Sequence, residues 1–217
     1  MTLKHRFCAC SLCSSVNVSP FFEDKKRAYL RCENCKLVFV PSDYWLNEHE
    51  ERAIYNLHKN TATDQGYRKF LSRLSDPLLT RLSPKCTGLD FGCGPGPTLS
   101  VILEEAGHRV DLYDFFYFNA PDLLRKKFDF ITATEVVEHL NSPDREFRKL
   151  FSMLNPGGLL AIMTKLVIDL DAFSQWHYIR DLTHVCFYDQ RTFEYLAQRF
   201  EAKLYLIEKD VIFLKKL

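Results

Sequence analysis

From Thr87 onward, short apolar runs alternate with segments whose apolar residues recur at helical spacing. The pattern predicts strands at 87–91, 109–113, 128–133 and 159–165, helices at 97–106, 143–154 and 190–200, and a closing hairpin of 203–208 and 211–216. The helix from 143 carries its own start signals: Ser142 as N-cap, Pro143 at the first position and Asp144 in the first turn. Asn155, Pro156, Gly157 and Gly158 stop it. Such alternation predicts an α/β fold, a mostly parallel sheet covered by helices. Residues 46–83 are charged and helix-like, with a partial apolar face from Leu57, Phe70, Leu71, Leu74, Leu78 and Leu79. Residues 1–45 hold short alternating runs and five of the eight cysteines. The chain therefore divides into a small module at 1–45, a helical connector or lid at 46–83, and a larger domain at 84–217.

Composition narrows the class. Of 217 residues 47% are apolar, enough for a buried core, and 18 Phe with 10 Tyr make that core or a pocket aromatic. A formal net charge of +1 with mixed signs argues against a broad basic face for nucleic acid. No run reaches the roughly 18 apolar residues of a membrane span, and no apolar stretch follows the basic N-terminus as in a signal peptide. A cytoplasmic setting is expected, where cysteines are metal ligands or buried apolar groups before they are disulfides.

Cys10 and Cys13 form one C-x-x-C, and Cys32 and Cys35 another after 18 intervening residues. Two such knuckles bring four thiolates to a tetrahedral zinc. So small a ribbon buries too little surface to fold alone, so the metal would supply folding free energy. All-cysteine ligation leaves no open position, which makes the zinc structural. Cys8 stays open as an alternative to Cys10.

The second signal is LDFGCGPGP at 89–97, with Gly92, Gly94 and Gly96 between a strand and a helix. Glycines let the backbone turn sharply and approach a ligand closely. A dinucleotide fingerprint, G-x-G-x-x-G, fails because Pro97 occupies its third glycine position. Asp90 beside the turn suits a cation better than a pyrophosphate. S-adenosylmethionine carries a sulfonium and an ammonium. Asp114 ends the second strand 22 residues after Gly92, an offset at which a carboxylate commonly accepts ribose hydroxyls; Asp111 is the alternative within the strand.

Residues 87–165 resemble the class I S-adenosylmethionine-dependent methyltransferases. LDFGCGPG resembles their first motif, YD at 113–114 their ribose-binding acidic position, ITATEVVEHL the motif after the fourth strand, and NPGG the turn before the fifth. The resemblance implies a Rossmann-like fold with cofactor at the carboxyl edge of the strands. It implies contacts from Asp90, Gly92, Cys93, Gly94, Gly96, Tyr113, Asp114, Thr134 and Glu135. One departure stands out. Only 13 residues separate Asp114 from Phe128, where the family places a helix, a strand and a helix, so about six strands are expected. The cysteine module resembles, loosely, those of some sugar C-methyltransferases and ribosomal RNA guanine methyltransferases.

Two further clusters are candidates for acceptor chemistry. Glu135 and His139 are four apart and share a face if a helical turn forms. The loop SQWHYIRDLTHVCFY at 174–188 crowds polar and aromatic groups on the ligand side of the sheet. Within it Asp181 could orient His184 as a general base, or the pair could fix the loop. D-x-T-H-x-x-F-Y is similar to a stretch common in the class, with Leu182 where proline is frequent. Tyr55, His58, Asn60, Asp64 and Tyr67 form a third cluster, a lid or a solvated helix face. The leading expectation is an active methyltransferase acting on a small metabolite such as a nucleotide-linked sugar. An RNA base acceptor guided by the zinc module, and a non-catalytic binding module, are the alternatives.

Overall fold

The computed structural model describes residues 8–57 and 60–217. At its N-terminal end, β1 (Val18–Glu23) pairs antiparallel with β2 (Ala28–Cys32), which pairs with the short β3 (Val38–Phe39). Phe21 is the extra residue of a bulge, since Pro20 faces Leu30 and Phe22 faces Tyr29. Two helices follow. α1 (Glu48–Tyr55) begins in a capping box in which Asn47 and Glu50 satisfy each other's backbone N–H groups. α2 (Gln65–Leu79) is capped by Asp64 and buries Leu71, Leu74 and Leu78, the three- and four-residue spacing of one face.

The main sheet then builds up as β4 (Thr87–Phe91), α3 (Thr98–Glu105), β5 (Arg109–Tyr113), β6 (Phe128–Thr134), α4 (Pro143–Met153) and β7 (Leu154–Met163). After α5 (Leu170–Ser174), the two-residue β8 (Cys186–Phe187) leaves this sheet and pairs with β3. α6 (Gln190–Arg199), β9 (Ala202–Leu206) and β10 (Val211–Lys216) close the chain. The six-stranded order is β5-β4-β6-β7-β10-β9, parallel from β5 to β7 and antiparallel beyond. This is the expected Rossmann-like α/β fold with six strands. Between β5 and β6 the chain makes one 3-10 turn, Pro121–Arg125, so β5 is an edge strand.

Side chains sort by the period of two. Ile131, Ala133, Leu160, Ile162, Ile212 and Leu214 face one core; Phe130, Leu159, Ala161, Met163, Val211 and Phe213 face the other. The second core is closed by the leucines of α2 and α3. The first also contains Cys10, Leu12, Tyr29, Val38 and Phe39, so the cysteine module and the main sheet share one apolar interior. Two details differ from expectation. Ser142 occupies the N-cap position of α4 but its hydroxyl makes no capping bond. The Asn155–Gly158 stretch is a bulge inside β7, with Leu154 facing Phe128 and Leu159 facing Phe130.

Candidate cofactor cleft and cysteine cluster

The glycine turn follows β4 at its carboxyl end. Gly92 has φ +73°, and a Cβ there would stand 2.6 Å from the Val136 side chain, so only glycine fits. Its N–H donates to the Tyr113 carbonyl at 2.7 Å, tying the turn to the end of β5. Asp114 completes the tie. Its Oδ2 accepts from the Gly94 N–H at 2.9 Å, and its Oδ1 from the N–H groups of Phe116 and Tyr117 at 2.8 and 3.1 Å. A carboxylate offers about four lone-pair sites, so Asp114 shapes the loop and retains capacity for a ligand hydroxyl. Asp111, the alternative, instead meets Lys126 at 3.0 Å away from the turn.

Asp90 is buried behind this turn and accepts from the Thr132 hydroxyl at 2.8 Å. Burial raises its pKa to about 6, and the nearby Asp114 charge adds to the shift. Asp90, Cys93 and Gly96 do not line the main cleft. The Cys93 thiol is pushed up by burial, and a Cβ on Gly96 would meet the Asn60 carbonyl at 2.2 Å.

The cleft, about 680 Å³, lies over the carboxyl ends of β4, β5 and β6, within the usual size of a small-molecule site. Gly92, Gly94, Tyr113, Asp114 and Phe115–Tyr117 form one wall, with Glu135, Val136 and His139–Ser142 along the floor. α4 contributes Arg145, Glu146 and Lys149, and α1 contributes Glu48, Glu51 and Tyr55. The Tyr55 ring meets Phe116 at 5.8 Å and His139 at 5.4 Å, and Tyr117 donates to Asn56 at 2.7 Å. The end of α1 thus crosses over the cleft. Asp64 serves as a helix cap, and His58 lies outside the described residues.

At the end of β6, Glu135 holds the left-handed φ of +51° and donates its N–H to Met163 at 2.8 Å. Thr134 Oγ1 and Glu135 Oε1 are buried with no hydrogen-bond partner; Glu135 lines the cleft and Thr134 does not. Glu138 is fully buried, accepts from the Thr164 hydroxyl at 3.0 Å and from Tyr178, and is pushed up to about 8 by burial and then by Glu135. Glu135 itself rises to about 7, mainly by burial. The turn Val137–His139 is 3-10, and it still places Glu135 and His139 together in the cleft lining.

His184 and Asp181 take a different place from the acceptor-facing one expected of them. His184 is 7% exposed, does not line the cleft, and stands behind His139 at 4.7 Å between ring centres. Its Nδ1 donates to the Tyr178 carbonyl at 2.8 Å, and burial lowers its pKa to about 4. Asp181 Oδ1 accepts from the Thr183 N–H and hydroxyl at 2.9 and 2.6 Å, while its other oxygen is 3.9 Å from His184 Nε2. Sequence reasoning missed the group that holds this loop: Arg27, on the hairpin between β1 and β2. One buried guanidinium donates to the carbonyls of Ile179, Asp181, Leu182 and His184 at 2.8–3.1 Å. A lone arginine in a strand-turn segment gives no signal of such a role.

In the N-terminal module, the sulfurs of Cys10, Cys13, Cys32 and Cys35 all lie within 4.8 Å of one another. Cys10 and Cys35 are 3.5 Å apart, Cys13 and Cys32 3.4 Å. A zinc with sulfurs at about 2.3 Å needs edges of roughly 3.8 Å, so the set fits that ion. Cys8 is outside the group, its thiol directed to the Ala9 carbonyl.

Residues 58–206 match the methyltransferase domain family, most of the chain, and the chain belongs to that family. Its fold is that of S-adenosylmethionine-dependent methyltransferases. CalO1, a methyltransferase of calicheamicin biosynthesis solved with S-adenosylhomocysteine, is similar at 14% identity and TM-score 0.53, over 78% of this chain and 59% of that one. The chain therefore spans about three fifths of that protein's length. The 1,6-didemethyltoxoflavin N1-methyltransferase of Burkholderia thailandensis is similar at 16% identity and TM-score 0.50, over 91% of this chain and 99% of that one. No curated protein matches the chain by sequence. Among the described residues, no helix is long and apolar enough to cross a membrane.

Proposed function

We propose that the chain transfers the methyl group of S-adenosylmethionine to a small acceptor held in the cleft under α1. The observation that carries this reading is the Gly94–Asp114 bond across the mouth of the glycine turn, with the orphaned Thr134 and Glu135 oxygens beside it. Gly92, Gly94, Tyr113 and Asp114 would hold the nucleoside end, Glu135 would face its positive charge, Asp90 would act on that charge from behind the turn, and Cys93, Gly96 and Thr134 would support the turn around it. Bound there, S-adenosylmethionine supplies an electrophilic methyl group on sulfur. The residues themselves need chiefly to place an acceptor in line with it. Glu135 and His139 face that space from the floor, Tyr55 and Phe116 from above. Asp181 and His184 serve as positioning groups behind His139.

A small acceptor is favoured over RNA because Glu48 and Glu51 line the cleft and would repel a polyanion. Arg145 and Lys149 also line the cleft, each paired with Glu146 at 3.0 and 2.6 Å, so a phosphorylated acceptor such as a nucleotide-linked sugar would have to displace that carboxylate to meet them. We further infer that the four-cysteine set holds structural zinc. Titration calorimetry with S-adenosylhomocysteine tests the central reading. Micromolar binding, about −8 kcal/mol, is expected. Folded protein that binds neither product nor S-adenosylmethionine overturns it.

A further inference from the structure

We propose that Glu138, His139 and His184, with Glu135 on the cleft side, form a second metal site, one that takes a divalent cation at the floor of the cleft. The ligand atoms of Glu138, His139 and His184 lie within 4.8 Å of one another. An ion bound at about 2.1 Å sets its ligands roughly 3–4 Å apart, a distance small side-chain rotations reach.

The tautomers point the same way. His184 Nδ1 is 2.8 Å from the Tyr178 carbonyl and His139 Nδ1 is 3.2 Å from the Thr183 carbonyl. A carbonyl only accepts, so Nδ1 carries a proton on each ring. A metal-binding histidine is commonly fixed this way, its other nitrogen donating to backbone. Glu138 receives the hydroxyls of Tyr178 and Thr164, which orient the carboxylate and leave lone pairs on it. Tyr178 also reaches Glu135 Oε2 at 3.4 Å, and Glu135 Oε1 is buried without a partner. Two imidazoles and the carboxylates thus converge in one place beneath the cleft.

Two imidazoles and carboxylate oxygens select a borderline first-row cation, of the cobalt, nickel or zinc kind, over magnesium or calcium. The four-cysteine set is the softer site and keeps zinc. Because Glu135 and His139 line the cleft, the open side of the ion faces the acceptor; on the methyltransferase reading, this favours an acceptor that offers an oxygen ligand.

Cobalt(II) added to zinc-loaded full-length protein tests the site. One equivalent per chain should bind, with visible absorption bands and no sulfur-to-metal charge-transfer band. Glu138→Gln and His139→Gln, each checked for native circular dichroism, should weaken binding at least tenfold. His139 is only partly buried and lines the cleft, so its variant keeps the test open if the buried Glu138 variant misfolds. No saturable cobalt beyond the zinc equivalent, or unchanged affinity in folded His139→Gln, overturns the site. The titration needs no methyl transfer. Failure of cobalt binding with intact S-adenosylhomocysteine binding removes only this inference, and the converse removes only the methyltransferase reading.

Discussion

Arg27 donates to the carbonyl of His184 at 2.9 Å across 157 residues of sequence. The same guanidinium fills with three more carbonyls of the 179–184 loop, and its Nε donates to Tyr29 at 2.8 Å. The cysteine module thereby sets the backbone beneath His139. Val40 and Val185, and Val185 and Glu138, continue the link through backbone bonds of 2.9 and 2.8 Å. Arg27→Ala leaves buried carbonyls unsatisfied and should cost about 3–5 kcal/mol. Arg27→Lys should recover little, because an ammonium lacks the planar fork that reaches several acceptors at once. Urea denaturation of both variants checks this; a loss under about 1 kcal/mol would show the clamp to be incidental.

Much of this was legible in the chain, and the reasons are physical. Strands β4, β6 and β7 are buried on both faces, so their apolar runs announce themselves, and the glycine turn is forced by φ values that only glycine tolerates well. Both C-x-x-C pairs read correctly as one cluster because the hairpin β1–β2 folds their spacing back on itself. The place of His184 was not legible. D-x-x-H spacing says that the two can meet, but exposure depends on packing against Tyr178 of the same loop and against His139 and Arg27, which come from two other stretches of chain. β8 was hidden for the same reason: two residues become a strand only because β3 stands beside them.

Asp90 gives the site a pH dependence. Its pKa stands at about 6 in the fold against an ordinary 3.8, so the folded state binds more protons than the unfolded one between those values. Its contribution to stability therefore falls as pH rises from about 4 to about 6 and is constant above. Cationic ligand binding runs the other way. Affinity for S-adenosylmethionine should drop below pH 6, towards tenfold per pH unit, as the carboxylate is neutralised. Asp90→Asn should bind weakly and fall less steeply than the wild type below pH 6, the remaining fall belonging to Glu135 at about 7. A wild-type profile already flat across that range would place the sulfonium away from Asp90.

Asp114 holds three backbone N–H groups, so Asp114→Ala should disorder the 115–117 segment as well as remove a ligand contact. We expect S-adenosylhomocysteine affinity to fall by about 1–3 kcal/mol. Asp114→Asn keeps one acceptor oxygen and should retain part of that loss. Equal affinity in all three proteins, measured by calorimetry, would move the ribose contact elsewhere.

The cysteine cluster predicts one zinc per chain in protein purified without chelator, read by elemental analysis. Cys32→Ser should lose it. Because Cys10, Cys32 and Cys35 share a core with Phe173, Val185 and Phe187, the damage should spread beyond the module. Hydrogen exchange over 179–188 should accelerate in the variant, while α2 and α3, in the other core, stay protected. A metal-free wild type with the same melting temperature as the zinc form would remove zinc from the folding of the module.

Gly94 and Gly107 provide a matched pair. Both hold left-handed backbone, with φ +64° and +90°, and a Cβ at either would meet nothing within 4 Å. Alanine at each should therefore cost about 1 kcal/mol or somewhat more through backbone strain alone, with no steric penalty. Their surroundings differ. Gly107 follows α3 at the far end of the helix, whereas Gly94 opens on the cleft and donates to Asp114. A methyl group at Gly94 occupies space that the cofactor would use. Gly94→Ala should therefore weaken S-adenosylhomocysteine at least tenfold, and Gly107→Ala should leave it unchanged at a similar loss of stability. If both variants bind alike, the turn shapes the protein without touching the ligand, and the cofactor lies on another wall of the cleft.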